Sequence, residues 1–223
     1  MPKTGKLSVY FHIPFCTKKC PYCHFFVIPH KKTSEEQLIA GLKKEWQWRK
    51  PLLQGKEILT VYFGGGTPSL LEPDTISELL EMVGGNPTEI TLEVNPETVS
   101  YERMAAYKKA GVNRISIGVQ SLDDSELITL GRNHGVSKAS DAIKITKDAG
   151  FDNITIDLMF ELPNQTLASW EKTLSKATQL PITHLSLYNL TFEPHTSFYK
   201  KQKELLPLIA NEENRAAMLE MAI

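Results

Sequence analysis

The sequence lacks several features that mark specialised classes of protein. No apolar run among its 223 residues approaches the ~20 residues that a membrane-spanning helix needs. The formal net charge is only −1, which excludes a broad electrostatic attraction to nucleic acid or to anionic membranes. With an ordinary hydrophobic content of 41%, the chain is long enough for one large α/β domain. We therefore expect no transmembrane segment and no nucleic-acid partner.

Cysteine is also scarce, with three residues in the chain. An odd count in a chain of this length, without a secretory signal peptide, argues against the disulfide framework of a small secreted domain. We expect a reduced, cytoplasmic setting instead. The three cysteines lie within eight residues, at Cys16, Cys20 and Cys23. Thiolates spaced this closely indicate a metal site.

Three thiolates leave two kinds of metal site open. A structural zinc site needs four ligands, and His12, His24 or His30 could supply the fourth. An iron–sulfur cluster held by three cysteines would instead leave one iron without a protein ligand and free to bind another molecule. The spacing favours the cluster, and a zinc-binding barrel with no redox role is the rival interpretation.

Strand-like and helix-like segments alternate along the chain. Six strands are predicted, at Leu7–Ile13, Leu59–Phe63, Glu89–Val94, Arg114–Gln120, Asn153–Met159 and His184–Leu190. The predicted helices are Ser34–Lys50, Asp74–Met82, Ser100–Lys109, Ser137–Asp148 and Leu167–Gln179. This alternation indicates βαβ units and a parallel sheet. Gly111 and Gly150 each suit the left-handed position that follows a helix end, so the units repeat as in a barrel.

Two acidic residues lie on the polar face of predicted strands. Glu93 and Asp157 each alternate with aliphatic neighbours, which are expected to pack against the helices. The polar face would then line the barrel interior near the carboxyl ends of the strands, where barrels bind their ligands. The alternative is that both carboxylates are solvated strand ends.

Three consecutive glycines, Gly64 to Gly66, follow the second predicted strand and precede Thr67 and Pro68. Glycines let the backbone approach a ligand closely and offer amide donors. The run lacks the Gly-Lys-Ser/Thr ending of a nucleotide P-loop. A plain strand-to-helix turn is the alternative interpretation.

The cysteine spacing C-x-x-x-C-x-x-C, followed by a glycine loop after the second strand, resembles the radical S-adenosylmethionine (SAM) superfamily. More narrowly, the chain resembles the oxygen-independent coproporphyrinogen III oxidase (HemN) group, and within it the haem chaperone (HemW) branch. The matching stretches occur in the family's order, at Tyr10–Cys16, Gly64–Pro68, Glu93–Pro96, Gly118–Ser121, Gly131–His134, Asp157–Met159 and Leu162–Pro163.

The resemblance implies a partial (β/α)6 TIM-like barrel. Residues 1–195 would form the radical SAM core, and residues 196–223 would begin a C-terminal extension that is cut short. Asn211 is expected to start a helix there, with no capping residue to end it.

The resemblance also implies two cofactors. Cys16, Cys20 and Cys23 would ligate a 4Fe–4S cluster. S-adenosylmethionine would be bound by residues that match the family's cofactor contacts, namely Tyr10, Tyr22, Gly65, Gly66, Thr67, Glu93, Gln120, Arg132 and Asp157, with Thr191 as a further candidate.

Phe25 bears on the choice between the two branches. The dehydrogenases carry a fourth cysteine two residues after the third, and this chain has Phe25 there. The resemblance therefore favours a chaperone that holds haem or porphyrin and passes haem to an acceptor protein, with flavodoxin or ferredoxin as electron donor.

The alternative is a coproporphyrinogen III dehydrogenase in porphyrin biosynthesis, so enzymatic activity stays open and no catalytic residue is assigned. His12 and His134 could ligate haem, but hydrogen-bonded structural histidines are the favoured interpretation.

Overall fold

The computed structural model describes residues 5–223. Its strands are β1 (Lys6–Ile13), β2 (Phe15–Cys16), β3 (Ile28–Pro29), β4 (Glu57–Gly65), β5 (Glu89–Val94), β6 (Arg114–Gln120), β7 (Asn153–Phe160) and β8 (His184–Asn189). Six of them form one sheet in the order β1-β4-β5-β6-β7-β8, and every neighbouring pair is parallel. Because consecutive strands of this sheet are joined through helical segments, the predicted open (β/α)6 barrel is confirmed.

Helices separate these strands and continue beyond the last of them. They are α1 (Lys32–Arg49), α2 (Pro73–Val83), α3 (Tyr101–Lys109), α4 (Asp124–Thr129), α5 (Val136–Asp148), α6 (Leu167–Ala177), α7 (Ser197–Lys200), α8 (Gln202–Leu205) and α9 (Glu212–Glu220). Gly111 and Gly150 have φ values of +110° and +92°, which confirms their predicted positions past helix ends. Among residues 5–223, no helix is both long enough and apolar enough to cross a membrane.

The alternation seen in the sequence sets the two faces of the sheet. Ile115, Ile117 and Val119 of β6 are fully buried in the hydrophobic core, which the helices cover. The intervening side chains of β6 point to the barrel interior, and the same holds for β5 and β7. Polar side chains therefore collect inside the barrel.

The segment after β8 packs against the barrel. Asn211 caps α9 by accepting a hydrogen bond from the Asn214 N–H, as the sequence predicts. Met218 is fully buried, and its carbonyl accepts a 2.8 Å hydrogen bond from the indole N–H of Trp170 in α6. Arg215 also donates to the Glu161 carboxylate, 2.7 Å away. Residues of α9 thus belong to the same hydrophobic core as the sheet.

A short ribbon holds the cysteine segment. β2 and β3 pair in parallel, with Phe15 opposite Ile28 and Cys16 opposite Pro29. The sequence does not predict this ribbon, because two-residue strands have no periodicity to detect. The ribbon closes a loop that carries Cys20 and Cys23.

Candidate cofactor site

A cavity of about 560 Å³ lies at the carboxyl ends of the barrel strands. Its volume is in the range of small-molecule sites. Its walls come from the cysteine loop, the glycine loop after β4 and the ends of β5 to β8. The structure brings nearly all the predicted site residues together there, namely Cys16, Cys20, Tyr22, Cys23, Gly65, Gly66, Thr67, Glu93, Gln120, Arg132, Asp157 and Thr191.

Tyr10 is the predicted site residue that does not line this cavity. Its side chain is 56% exposed on β1, where its ring stacks on Tyr62 with centroids 5.9 Å apart. Its hydroxyl is 3.3 Å from Nδ1 of His12. Tyr62 in turn donates a hydrogen bond to Glu93, so Tyr10 lies one side chain away from the cavity wall.

The three cysteines are free thiols, half-buried, on one side of the cavity. The Thr67 hydroxyl lies 3.6 Å from the Cys16 sulfur, and Arg132 donates to the Cys20 sulfur at 3.5 Å. Burial raises the pKa of the Cys16 and Cys23 thiols, and the Thr67 hydroxyl and the Phe25 backbone N–H oppose that rise by hydrogen bonding to the sulfurs.

The histidines considered as zinc ligands do not form a compact site with the cysteines. His30 is 2.6 Å from the Glu35 carboxylate, and His12 Nε2 is 3.2 Å from the Phe26 carbonyl oxygen. Across residues 5–223, no three His, Cys, Asp or Glu side chains are grouped so that they could hold one metal ion. Three thiols that line one cavity without converging on a single ion fit a larger, multi-iron group better than a tetrahedral ion.

Glu93 of β5 and Asp157 of β7 line the same cavity. Glu93 accepts hydrogen bonds from the Tyr62 hydroxyl at 2.8 Å and from the Gly65 N–H at 3.0 Å. Burial, and then the nearby Glu93 carboxylate, raise the pKa of Asp157 to about 7. Because both groups are largely withdrawn from water, the solvated-strand-end alternative is wrong. Two buried carboxylates side by side favour a cationic ligand.

The glycine loop contacts both Glu93, through the Gly65 N–H, and the ribbon that carries the cysteines. The Gly66 N–H donates to the Ile13 carbonyl at 2.8 Å, and the Thr67 N–H donates to the Phe15 carbonyl at 2.7 Å. A Cβ atom on Gly66 would lie 2.5 Å from the Phe15 carbonyl oxygen. Only glycine allows this approach of two backbones.

Asn95 is the main site residue that sequence reasoning does not select. Its amide nitrogen donates a 2.8 Å hydrogen bond to the Thr67 hydroxyl, and its amide oxygen accepts a 2.7 Å hydrogen bond from Arg132. It lies two positions after Glu93 on the same face, so strand alternation alone could have identified it. Ser116 and Tyr188 also line the cavity beside Asp157.

The two histidines considered as haem ligands already have protein partners. His134 is 5% exposed, with Nε2 3.1 Å from the Val119 carbonyl oxygen and Nδ1 3.4 Å from Glu97. His12 has Tyr10 at one ring nitrogen and the Phe26 carbonyl at the other. These contacts support structural roles for both.

Comparisons with known proteins agree with this geometry. The pattern of the Radical SAM superfamily matches residues 10–177, so this chain belongs to that superfamily, whose members use a 4Fe–4S cluster and S-adenosylmethionine. Within it, the chain belongs to the HemN and HemW group.

The relatives that support this grouping include the "Heme chaperone HemW" of Haemophilus influenzae, which is 40% identical over 215 residues, or 92% of this chain and 56% of that protein. The "Radical S-adenosyl methionine domain-containing protein 1, mitochondrial" of Danio rerio is 37% identical over 220 residues, or 96% of this chain and 50% of that protein.

Among solved structures, coproporphyrinogen III oxidase (HemN) from Escherichia coli, described as a radical SAM enzyme, superposes with a TM-score of 0.87 and 26% identity. The superposition covers 100% of this chain and 52% of HemN. The chain thus spans about half the length of the relatives it matches.

Proposed function

We propose that this chain is the radical SAM core of a HemW-like haem chaperone. The observation that carries the proposal is the convergence of exactly three thiols, a glycine loop and two buried carboxylates on one cavity. Three thiolates suit a cluster that keeps one iron open, and adjacent carboxylates suit the cationic groups of S-adenosylmethionine.

In this proposal, Cys16, Cys20 and Cys23 hold the cluster. The cofactor is bound by the remaining residues predicted from the resemblance, namely Tyr10, Tyr22, Gly65, Gly66, Thr67, Glu93, Gln120, Arg132 and Asp157. When bound, the two groups supply one-electron chemistry that the protein itself cannot perform. The barrel residues position the cofactor and exclude water from the cavity.

The chaperone branch rests on the relatives named as haem chaperones and on Phe25, which stands where the dehydrogenase pattern has cysteine. Haem, an acceptor protein, a flavodoxin- or ferredoxin-type donor and a cytoplasmic setting are parts of the proposal.

The domain division is also proposed, with residues 1–195 as core and 196–223 as the start of an extension. The first four residues of that core lie outside the described residues.

The first experiment tests the metal. Anaerobic reconstitution of the chain with iron and sulfide should give about four of each per chain. Cys16→Ala, Cys20→Ala and Cys23→Ala should each abolish assembly, whereas Thr17→Ala, in the same loop and exposed, should not. Stoichiometric zinc without iron uptake would contradict the proposal.

The second experiment tests the cofactor. S-adenosylmethionine should change the electron paramagnetic resonance spectrum of the reduced cluster, because it binds the open iron. Asp157→Ala and Arg132→Ala should weaken this effect, since losing a charged hydrogen bond costs about 1.5–3 kcal/mol. Asp152→Ala, in the exposed connection between α5 and β7, is the matched control. Parent-like binding by both cavity variants would refute their assignment.

The third experiment separates chaperone from dehydrogenase. The H. influenzae relative should bind haem, and neither it nor this chain should decarboxylate coproporphyrinogen III, with E. coli HemN as positive control. This chain should bind haem more weakly than its longer relative, because sites gain affinity by enclosing their ligand. Decarboxylation above background would favour the dehydrogenase.

A further inference from the structure

A chain of side-chain hydrogen bonds connects two of the three cysteine sulfurs. It runs from Cys16 through Thr67, Asn95 and Arg132 to Cys20. We propose that this chain of contacts, called here the sulfur relay, sets the reduction potential of the cluster by aiming one donor at each of these two sulfurs.

The direction of each hydrogen bond in the relay is fixed by its chemistry. Arg132 can only donate, so the Asn95 oxygen must face it, at 2.7 Å from Nη2. The Asn95 amide nitrogen then faces Thr67 and donates to its hydroxyl oxygen at 2.8 Å. This leaves the Thr67 hydroxyl hydrogen free to point at the Cys16 sulfur, 3.6 Å away. A thiolate accepts and never donates, so ionised Cys16 is a suitable end for the relay.

Arg132 is held by the protein at this end of the relay. Nη2 also donates to the Gly118 carbonyl at 2.7 Å, so both of its hydrogens are used, and Nη1 donates to the Cys20 sulfur at 3.5 Å. Nε is buried without a protein partner. The guanidinium therefore cannot offer its Nη1–Nη2 fork to a carboxylate without releasing Asn95 or Gly118. The second Nη1 hydrogen takes part in none of these contacts, so it is the one left for a cofactor carboxylate while the contact with Cys20 is kept.

The effect of the relay follows from general properties of iron–sulfur clusters. Hydrogen bonds to cluster sulfurs and nearby positive charge stabilise the reduced, more negative state and so raise the reduction potential. The relay supplies a hydroxyl donor to Cys16 and a charged donor to Cys20. For the third sulfur, of Cys23, the interaction that lowers its pKa is with the backbone N–H of Phe25, which substitutions other than proline leave in place. The two side-chain donors are thus the adjustable ones.

The inference rests on the proposed cluster. Substitutions of Thr67 allow a test of the relay that is separate from the test for the cluster itself. Thr67→Val keeps the shape of this buried side chain but removes the hydroxyl, whereas Thr67→Ser keeps the hydroxyl. Each variant is reconstituted without oxygen and titrated for its reduction potential before S-adenosylmethionine is added. Thr67→Val should have a more negative potential than the parent, and Thr67→Ser should restore the parent value.

A spectroscopic measurement checks that the hydroxyl acts on the cluster directly. In D2O, pulsed electron paramagnetic resonance of the reduced parent should show an exchangeable deuteron coupled to the cluster that Thr67→Val lacks and Thr67→Ser retains. A general structural defect would not remove one deuteron selectively. Ser69→Ala, a buried hydroxyl that instead contacts Thr98, is the control and should leave the potential unchanged.

The outcomes distinguish the inference from the proposed function. If the parent takes up no iron, the proposed cluster is absent and both fail. If the parent holds a cluster but Thr67→Val and Thr67→Ser have the same potential and the same exchangeable deuteron, the relay does not tune the cluster and the inference is overturned, while the proposed function stands.

Discussion

Asp157 illustrates how the cavity environment changes the protonation of a side chain that lines it. Its side chain accepts a 3.4 Å hydrogen bond from Ser116, and Glu93 repels its charge. The positive charge of Arg114 lowers the pKa of Asp157, but by less than burial raises it. Below about pH 7, Asp157 is therefore mainly the neutral acid in the folded protein.

This state predicts a pH dependence of folding. The folded protein keeps the Asp157 proton to about pH 7, whereas an unfolded chain releases it near pH 4. The folded state therefore binds more protons in that interval, and stability should fall as the pH rises from about 4 to 7. Asp157→Asn should remove this loss and stabilise the apoprotein at pH 8 by on the order of 4 kcal/mol, measured by urea unfolding.

The matched control for that prediction is Asp152→Asn, which removes the same charge from an exposed carboxylate. Lys147 lowers the pKa of Asp152 by hydrogen bonding, so this substitution should not stabilise the protein at pH 8. At pH 4, Asp157→Asn should unfold at nearly the same urea concentration as the parent. An Asp157→Asn variant no more stable than the parent at pH 8 would show that the carboxylate is solvated or paired.

At the scale of elements, the sequence predicts the six strands of the barrel and five of the six helices between them to within a few residues, and the short helix α4 is not in the predicted set. It succeeds because each strand alternates in polarity and each long helix has recognisable ends, such as Gly111 and Gly150. The prediction of β4 is shorter than the observed strand at both ends: it omits Glu57 and Ile58 at the start, and at the end Gly64 and Gly65, which pair with His12 and Ile13 of β1. Pairing with β1, not propensity, places these glycines in the strand, and Gly65 takes part with a φ of +118°.

The site is less predictable than the sheet. The cysteine motif and Glu93 are visible in the sequence, but the β2–β3 ribbon and the role of Asn95 depend on contacts between distant segments. The Pro21 carbonyl accepts from the Phe198 N–H, 177 positions later, at 3.0 Å. No local pattern contains that information.

The contact between the glycine loop and the cysteine ribbon gives the second prediction. Gly66→Ala would place a methyl group against the Phe15 backbone, which cannot move aside as a flexible side chain could. We expect a loss of about 1–3 kcal/mol in unfolding free energy and reduced iron uptake on reconstitution, because the loop would be pushed from the ribbon that carries Cys16.

Gly41→Ala is the control for this substitution. Gly41 lies on the exposed face of α1, and a Cβ there would meet no atom within 4 Å. Alanine is the better helix former by about 1 kcal/mol, so this variant should be slightly more stable than the parent and take up iron normally. If Gly66→Ala behaves like Gly41→Ala in both assays, the close approach of the two backbones is not required.

At the scale of the whole molecule, the segment after β8 closes part of the core. The Trp170 side chain is fully buried between the sheet and α9, with Met218 as its partner. Phe198, at the start of the same segment, is buried near Tyr22, with ring centroids 6.2 Å apart. The segment therefore supports the barrel at α6 and the cysteine loop at Pro21, so the stability of the barrel and the geometry of the site are physically connected.

This connection gives the last prediction. Met218→Ala should cost about 2–5 kcal/mol of unfolding free energy, because it removes a fully buried side chain against Trp170 and leaves a cavity. Met221→Ala, on the same helix end but 43% exposed, should change stability by less than about 0.5 kcal/mol. Urea unfolding followed by tryptophan fluorescence measures both variants. Equal, small effects of the two substitutions would mean that α9 does not share the core of the barrel. A large effect confined to Met218→Ala would make residues 212–220 a structural part of the barrel, although they lie beyond its last strand.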